Sequence, residues 1–298
     1  MDQAQQLRNV IKKQNQKNIS NSARVITVTS GKGGVGKSIV AVNLAIQFRK
    51  MGKKVIIFDA DFGLANVEVM FGAIPKFNLS DLVYHDKEID EIITEGPMEI
   101  GFISGGSGII GLNNLTREQH AYLIKCMEEL SAMADVIIVD TGAGISDNVL
   151  EFVIASPEVL LVTTPDPSSL TDSYSLIKAL YYRPDFDKHK NQVYVISNRV
   201  NSAAEGKAVF EKLDSVVKQF LEGNIHYLGL IPQDSALERS IRQQKPVAIC
   251  YPNAKSSNAF ERLAEALMSS EDEDTDSKWG IAKLFDKLIN RLTRRNSS

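Results

Sequence analysis

The chain has 298 residues, of which 43% are hydrophobic and 24% are charged, and this composition predicts a soluble globular protein with a full hydrophobic core. Its formal net charge of -3 excludes a general attraction to nucleic acid, so an anionic partner would need a local basic patch. Two cysteines lie far apart, at Cys126 and Cys250, and no apolar run is long enough to span a bilayer, which disfavours disulfide, zinc and transmembrane architectures.

Residues 1–23 form a polar N-terminal segment that is rich in Gln, Asn and Lys. Its apolar residues Ala4, Leu7, Val10 and Ile11 follow helical spacing, which predicts a short helix. The segment lacks the apolar stretch of a secretory signal peptide. We therefore expect a cytoplasmic protein in which this segment precedes the globular domain.

The globular domain is predicted to span residues 24–268 and begins with a β-branched strand, Val25 to Thr29. A glycine-rich loop and an amphipathic helix from Ser38 to Met51 follow, and Gly52 ends that helix. The other predicted strands are Lys54 to Asp59, Val136 to Asp140, Val159 to Thr163, Gln192 to Ser197 and His226 to Ile231. Because apolar strands alternate with helical patterns, we expect an α/β fold with a doubly wound, mostly parallel sheet flanked by helices.

The chain changes character after this domain. Residues 269–277 contain five acidic residues and no apolar side chain, which predicts a solvated linker. Residues 278–298 then carry an apolar stripe at helical spacing beside six basic residues and one acidic residue. A basic amphipathic helix is attracted to anionic lipid, so the stripe is the predicted membrane contact. The stripe consists of Ile281, Leu284, Phe285, Leu288, Ile289 and Leu292. A helix packed permanently on its own domain would show the same pattern and is the alternative.

The loop between the first strand and the first helix reads Gly31-Lys32-Gly33-Gly34-Val35-Gly36-Lys37-Ser38 and satisfies the G-x-x-x-x-G-K-[ST] pattern. Its glycines allow backbone N–H groups to surround phosphates, and the helix N-terminus adds a positive dipole. Lys37 would neutralise the β and γ phosphates, and the Ser38 hydroxyl would bind Mg²⁺. The loop therefore predicts a site for a nucleotide and magnesium, and the absence of a late N-K-x-D guanine signature favours ATP.

Lys32 is not required by the phosphate-binding pattern, and together with Lys37 it gives K-G-G-x-G-K-S. This loop resembles the deviant Walker A loop of the MinD/ParA ATPase family. In that family the extra lysine reaches the phosphates of the facing subunit. The resemblance therefore implies Mg-dependent ATP hydrolysis and an ATP-bound homodimer, with Lys32 and Lys37 in catalytic roles. A surface lysine without such a role is the alternative for Lys32.

Three aspartates at predicted strand ends extend the resemblance over most of residues 24–268. The resemblance implies that Asp61, in a switch I segment, orients the attacking water as a catalytic residue, and that Asp59 supports the outer shell of the metal. Asp140 begins Asp140-Thr141-Gly142-Ala143-Gly144, which looks like the Walker B and switch II segment. Asp140 is thereby implied to hold magnesium-bound water. Strand-end aspartates can also be structural caps.

Two loops that follow late strands are the expected adenine contacts. Family members often place adenine between such loops, and here they carry Asn198 with Arg199 and Pro232 with Asp234. Turns after strands also carry Asn, Pro and Asp for structural reasons alone. The four residues are therefore predicted nucleotide contacts with a structural alternative.

Both termini narrow the resemblance to one branch of the family. Residues 2–8 match a D-Q-A-x-x-L-R motif of the branch that controls flagellar number and placement in bacteria. Gly142, where MinD has proline, fits the same branch, as does the segment Thr164-Pro165-Asp166-Pro167. In that branch the motif stimulates a GTPase of the signal-recognition type, which is therefore an implied partner. The implied contact residues are Gln3, Leu7 and Arg8; a coincidental match is the alternative.

The resemblance implies a switch in which ATP drives dimerisation and the dimer exposes the C-terminal helix to the inner membrane surface. Hydrolysis would then return the protein to the cytoplasm as a monomer. Flagellar switch proteins or transcriptional regulators are further implied partners, and no specific nucleic acid is expected. A MinD/ParA-type positioning or DNA-partitioning ATPase is one alternative. An iron–sulfur carrier of the same superfamily needs paired cysteines, which Cys126 and Cys250 do not suggest. A scaffold with a vestigial site is disfavoured because Lys37, Ser38 and the aspartates are present.

Overall fold

The computed structural model describes residues 23–61, 66–85, 87–106, 112, 114–184, 186, 191–269 and 280–295. The implied partner residues Gln3, Leu7 and Arg8 lie outside the described residues, as does the acidic linker beyond Ser269. The division of the chain at these two segments therefore stays a prediction.

A mixed sheet of eight strands forms the centre of the described chain. The strands are β1 (Arg24–Ser30), β2 (Val55–Ala60), β3 (Thr94–Glu95), β4 (Gly101–Ser104), β5 (Val136–Ala143), β6 (Glu158–Thr163), β7 (Gln192–Val200) and β8 (His226–Pro232). The described helices are α1 (Lys37–Lys50), α2 (Asn66–Phe71), α3 (Leu79–Tyr84), α4 (Ile89–Ile92), α5 (Arg117–Met133), α6 (Asp147–Ala155), α7 (Pro167–Tyr181), α8 (Ala203–Leu221), α9 (Ser235–Arg242), α10 (Val247–Cys250), α11 (Lys255–Ser269) and α12 (Ile281–Arg295). A 3₁₀ turn, Pro97–Glu99, precedes β4.

The strands lie in the order β3-β4-β2-β5-β1-β6-β7-β8, and all neighbours are parallel except β3 and β4. The chain runs outward from β1 in both directions, and helices cover both faces of the sheet, so the prediction of a doubly wound, mostly parallel α/β fold is confirmed. All six predicted strands are present, each with ends no more than three residues from those expected.

The two strands at one edge of the sheet, β3 and β4, were not predicted from the sequence. β4 has only four residues and β3 has two, which is too short for strand periodicity to be visible in the sequence. β4 pairs with β2 up to Asp59, so it supports the strand that carries a predicted site residue. The first predicted helix is confirmed as α1 and differs by one residue at each end.

Alternate residues of the strands pack into separate cores on the two faces of the sheet. On one face, Ile26 and Val28 of β1 pack with α1 and α11. On the other face, Phe58 and Val139 pack with α5, α6 and α12, and a third cluster joins α6, α7 and α8. These layers hold the central strands from both sides, so the loops at their carboxyl ends start from fixed positions.

The C-terminal helix α12 packs in the slot between α5 and α6. The edge of the Phe285 ring meets Phe58 and Phe152, with ring centroids 5.3 and 6.2 Å apart. Five of the six residues of the apolar stripe are buried, namely Ile281, Leu284, Phe285, Leu288 and Ile289. The sixth, Leu292, is partly buried against the same core. The face predicted to contact membrane is therefore part of the core here, as the packed-helix alternative describes. Its contact with membrane would require α12 to leave the slot and stays a prediction.

Charged contacts also fix α12 in this slot. Arg291 lies 3.6 Å from the buried carboxylate of Glu151 in α6, which also receives Arg183 at 3.3 Å. Asp286 lies 3.3 Å from Nε2 of His120 in α5. Arg291, one of the basic residues expected to face lipid, is thus engaged within the protomer. No described helix combines the length and the apolar character needed to cross a bilayer.

Candidate nucleotide-binding site

The phosphate loop joins the end of β1 to the start of α1 at the carboxyl edge of the sheet. Gly34 and Gly36 have φ angles of 78° and 99°, in the left-handed region that favours glycine. Gly36 is the N-cap of α1 and has no side chain that could bond to the first N–H groups of the helix. These N–H groups can therefore bind an anion, as the sequence pattern predicts.

Gly31 allows the loop to lie directly against helix α7. A Cβ atom at this position would lie 2.2 Å from the backbone carbonyl carbon and oxygen of Asp172, which is far inside the van der Waals limit. Gly31 is therefore required by packing between two backbones as well as by the predicted phosphate contact. The sequence motif alone does not reveal this contact, because Asp172 is distant in the chain.

Lys37 lies inside the site and is 6% exposed. Its Nζ donates to Oδ1 of Asp140 at 2.8 Å and lies 3.9 Å from Oδ2 of Asp61. The structure thus brings together the predicted phosphate-binding lysine, the predicted water-orienting aspartate and the predicted Walker B aspartate. The side chain of Asp61 is 21% exposed, so this carboxylate remains accessible to solvent.

Two buried carboxyl groups lie side by side because Asp59 and Asp140 are paired residues of adjacent strands β2 and β5. Burial, followed by the charge of Asp140, raises the pKa of Asp59 to about 7. Burial also raises the pKa of Asp140, against the opposing effects of Lys37 and the Ser38 hydroxyl. The Oδ2 atom of Asp140 is buried without a hydrogen-bond partner of normal geometry among the described residues. Burial is the main cause at both carboxyl groups, so a cation beside them would stabilise their ionised forms.

Asp59 also organises the segment that follows β2. Its Oδ1 accepts a hydrogen bond from the backbone N–H of Asp61 at 3.1 Å, and its Oδ2 lies 3.5 Å from the N–H of Val67. These contacts match the structural cap that was the alternative for a strand-end aspartate. A metal-supporting role for Asp59 stays a prediction. Residues 62–65 of the predicted switch I lie outside the described residues.

Lys32 lies on the outer side of the loop, where its side chain is 41% exposed. Its Nζ is 3.2 Å from Oδ2 of Asp166 and also donates to the Ser168 hydroxyl. Asp166 is the N-cap of α7, and the Ser168 N–H and then Lys32 lower its pKa. From the sequence, the segment around Asp166 was used only to identify the branch of the family, because nothing in the sequence shows that this segment faces the phosphate loop.

The predicted adenine contacts lie together at the ends of β7 and β8. Asn198 is buried and donates from Nδ2 to the carbonyl of Val35 at 2.7 Å, so it supports the phosphate loop directly. Arg199 is exposed and has a left-handed backbone with φ of 58°. Pro232 is paired with Val200 across the two strands. The structure thus places Asn198 against the phosphate loop, with the end of β8 next to the end of β7.

Asp234 has structural partners at both carboxylate oxygens. Oδ1 accepts from the N–H of Ala236 at 2.9 Å and caps α9, and Oδ2 accepts from the N–H and hydroxyl of Ser256 at 2.9 and 2.8 Å. The structural alternative therefore accounts for this side chain, and an adenine contact by Asp234 stays a prediction.

Comparison with known proteins extends the likeness over almost the whole chain. The ParA family profile, described as "NUBPL iron-transfer P-loop NTPase", matches residues 21–268. The antiactivator FleN of Pseudomonas aeruginosa is 39% identical over 246 residues, which cover 83% of this chain and 86% of FleN. The flagellum site-determining protein YlxH of Helicobacter pylori is 35% identical over 297 residues, which cover 98% of this chain and 99% of YlxH.

A solved structure supports the same fold. Septum site-determining protein MinD from Pyrococcus horikoshii, solved in complex with Mg-ADP, superposes with a TM-score of 0.65 at 24% identity and covers 84% of this chain and 98% of its own. At this level of identity the likeness concerns the fold alone. The chain therefore belongs to the ParA family of P-loop NTPases and, within that family, groups with FleN and YlxH.

Proposed function

We propose that this protein is a MinD-like ATPase of the FlhG type, the type to which FleN and YlxH belong. In this proposal it cycles between a monomer and an ATP-bound, membrane-associated homodimer and controls flagellar number and placement. The observation that carries the proposal is the convergence of Lys37, Asp61 and Asp140 on the phosphate loop. The flagellar role rests on the names of FleN and YlxH, and the YlxH match extends into both terminal segments.

ATP and Mg²⁺ fit the residues of the site. The N-terminus of α1 offers N–H groups to phosphate, and the carboxylates and hydroxyl beside it are the oxygen ligands that Mg²⁺ prefers. Asp59 and Asp140 lie side by side near Lys37, and the buried Oδ2 of Asp140 can accept a further contact, which favours a cation at this position. Ser38 would bind the ion, and Asp140 would hold a water bound to it. Asp59 would support the outer shell of the ion. The ion supplies positive charge that stabilises the phosphate oxygens.

Lys37 and Asp61 have separate proposed tasks. When ATP binds, Lys37 would leave Asp140 and bind the β and γ phosphate oxygens, and the Asp140 carboxylate would then be free for the magnesium site. Asp61 would accept a hydrogen bond from the attacking water, because its carboxylate is close to Lys37 and remains open to solvent. Arg199 and Pro232 would border the adenine, with Asn198 holding the loop from behind.

Lys32 connects the site to dimerisation. Within the protomer it is bound by Asp166 and Ser168 at the start of α7. In the proposed dimer Lys32 leaves these partners and reaches the phosphates of the facing subunit. The exchange costs little, because exposed ion pairs contribute at most about 1 kcal/mol.

Membrane binding requires a larger rearrangement of α12. Each fully buried apolar side chain contributes about 1.5–3 kcal/mol relative to exposure, so the five buried residues of the stripe together oppose release into water by roughly 7–15 kcal/mol. The bilayer would have to receive this face directly, and the ATP-bound dimer would have to bind the released form more tightly than the monomer does. In this proposal the ATP-bound dimer is peripheral on the inner membrane surface, and the monomer is cytoplasmic.

Sedimentation with anionic vesicles tests the cycle. We expect the variant Asp61→Ala to sediment with vesicles in the presence of ATP, because it binds nucleotide without hydrolysing it. The exposed aspartate Asp90 in α4 provides the matched control, and Asp90→Ala should behave as the wild type does. The proposal fails if Asp61→Ala with ATP sediments no better than the wild type with ADP.

The proposed partner at the N-terminus is an FlhF-like GTPase of the signal-recognition type. A pull-down with that GTPase would compare the intact protein with a variant that lacks residues 2–8 and with a variant that carries alanine at Gln3, Leu7 and Arg8. Equal capture by all three proteins would remove this partner from the proposal without affecting the ATPase cycle.

Two other functions give different results in these assays. A DNA-partitioning ATPase would bind DNA with ATP in a salt-sensitive manner and would show no affinity for vesicles. Iron transfer is named in the description of the matching family profile. Both cysteines are free, and Cys126 is buried in α5 while Cys250 belongs to α10, so they do not form a shared surface site for iron.

A further inference from the structure

The outer edge of strand β8 lies open at the end of the sheet. Among the described strands β8 pairs only with β7, and its residues from Tyr227 to Leu230 are half-buried. An edge strand presents N–H and C=O groups that can pair with another chain. Here the edge borders a cavity of about 470 Å³ between α8 and α11.

The α8 side of this cavity is apolar. Tyr227 packs on Phe210 of α8 with ring centroids 5.1 Å apart, and Leu230 lies against Gly206 of the same helix. Ala203, at the start of α8, completes this wall. β8 has an irregularity at Leu228, so Tyr227 and Leu230 face the same side although they are three residues apart. A strand that pairs beside this irregularity would direct every second side chain toward the α8 wall, and apolar side chains suit that position.

The α11 side of the cavity is basic at its rim. Lys255 and Arg262 are exposed, and neither forms an ion pair within the part of the chain that the structure describes. They are seven residues apart on one helix face, which separates them by about 10.5 Å along the axis. Side chains of an added strand that point to this side recur every two residues, or about 6.6 Å. Acidic residues at such positions fall within reach of both long basic side chains.

We propose that the β8 edge binds an extended segment of a partner protein by strand addition, with apolar residues facing α8 and alternate acidic residues facing Lys255 and Arg262. Backbone hydrogen bonds would supply affinity, and the two different walls would select the alternating sequence. The acidic linker of a second copy of this chain is a poorer occupant, because residues 270–277 contain no apolar side chain for the α8 wall. The cavity reaches the predicted nucleotide contact Pro232, but Lys255 and Arg262 themselves are not predicted to bind nucleotide, so charge reversal at these two positions tests the strand site.

Fluorescence anisotropy with synthetic peptides tests the site on the full-length protein. The probe is a labelled eight-residue peptide of alternating valine and glutamate, and the comparison peptides alternate valine and lysine or copy residues 270–277. We expect the valine-glutamate peptide to bind in preference to both. The double variant Lys255→Glu, Arg262→Glu should weaken that binding by about tenfold and favour the valine-lysine peptide.

A charge-matched control and a backbone readout complete the test. The variant Arg242→Glu, Lys245→Glu makes the same change of net charge on exposed residues that do not line the cavity, and it should leave binding unchanged. Bound peptide should slow amide hydrogen exchange in residues 226–231. The proposal would be overturned if the valine-glutamate peptide did not bind, or if it bound no better than the valine-lysine peptide. It would also be overturned if charge reversal at Lys255 and Arg262 left the binding unchanged, or if bound peptide left amide exchange in β8 unchanged. Tighter binding of the linker peptide would overturn it in favour of a second copy.

Discussion

Replacement of Phe285 by alanine tests whether α12 belongs to the folded core in solution. Phe285 is fully buried, and its ring meets Phe58 and Phe152 at interplanar angles of 85° and 87°. Truncation of a buried phenylalanine to alanine costs about 3–5 kcal/mol. Each edge-to-face contact accounts for about 0.5–1.5 kcal/mol of such a loss, so two contacts place the expected change in the upper half of that range, at about 4–5 kcal/mol.

Urea denaturation monitored by circular dichroism measures this change, and the slope of free energy against urea shows whether the folded state stays compact. Asn290 lies exposed on the same helix and provides the control, because it loses only an exposed hydrogen bond to Asp286, and Asn290→Ala should change the free energy of unfolding by no more than about 0.5 kcal/mol. A loss below about 1 kcal/mol for Phe285→Ala, with an unchanged slope, would refute the packing of α12 between α5 and α6.

Two further single variants, each with a control, test the phosphate loop and the start of strand β1. Gly31→Ala should lower the free energy of unfolding by about 1–3 kcal/mol, because the added Cβ would collide with the backbone of α7. Gly33→Ala is the control and should change this free energy by less than about 0.5 kcal/mol, because a Cβ there would have no atom within 4 Å. Thermal melts of both variants measure the two changes. Arg24→Ala should cost about 3–5 kcal/mol, since Glu158 would be left buried without its partner at 2.6 Å, and the double variant Arg24→Met, Glu158→Leu should recover most of the loss in urea denaturation. If the single and double variants are equally unstable, the effect comes from lost packing and from the lost hydrogen bond of Arg24 to the Leu267 carbonyl, rather than from the ion pair.

The central part of the site could be predicted from sequence because its signals are local. The β-branched residues of β1, the glycines of the loop and the amphipathic pattern of α1 are contiguous, and the structure reproduces their boundaries within about one residue. The family resemblance implied Asp61 and Asp140 at the site, and both carboxylates lie within 4 Å of Lys37 at the edge where the parallel strands end.

The remaining contacts depend on residues that are distant in the chain. Asn198 was expected at the adenine, yet its amide holds the Val35 carbonyl, and Asp166 was not expected to bind Lys32 at all. The apolar stripe of α12 was predicted correctly as a stripe, but an apolar face has the same sequence pattern whether a bilayer or a protein slot receives it. Only the arrangement of α5 and α6 shows that the slot exists.

The slot between α5 and α6 also limits which sequences α12 can tolerate. A bilayer accepts any sufficiently apolar side chain, whereas the rings of Phe58 and Phe152 accept only a particular volume and shape at position 285. Substitutions such as Phe285→Leu or Leu288→Phe would preserve attraction to lipid and still disturb the resting fold. Natural variation in this helix should therefore follow the volume of the slot more closely than overall hydrophobicity.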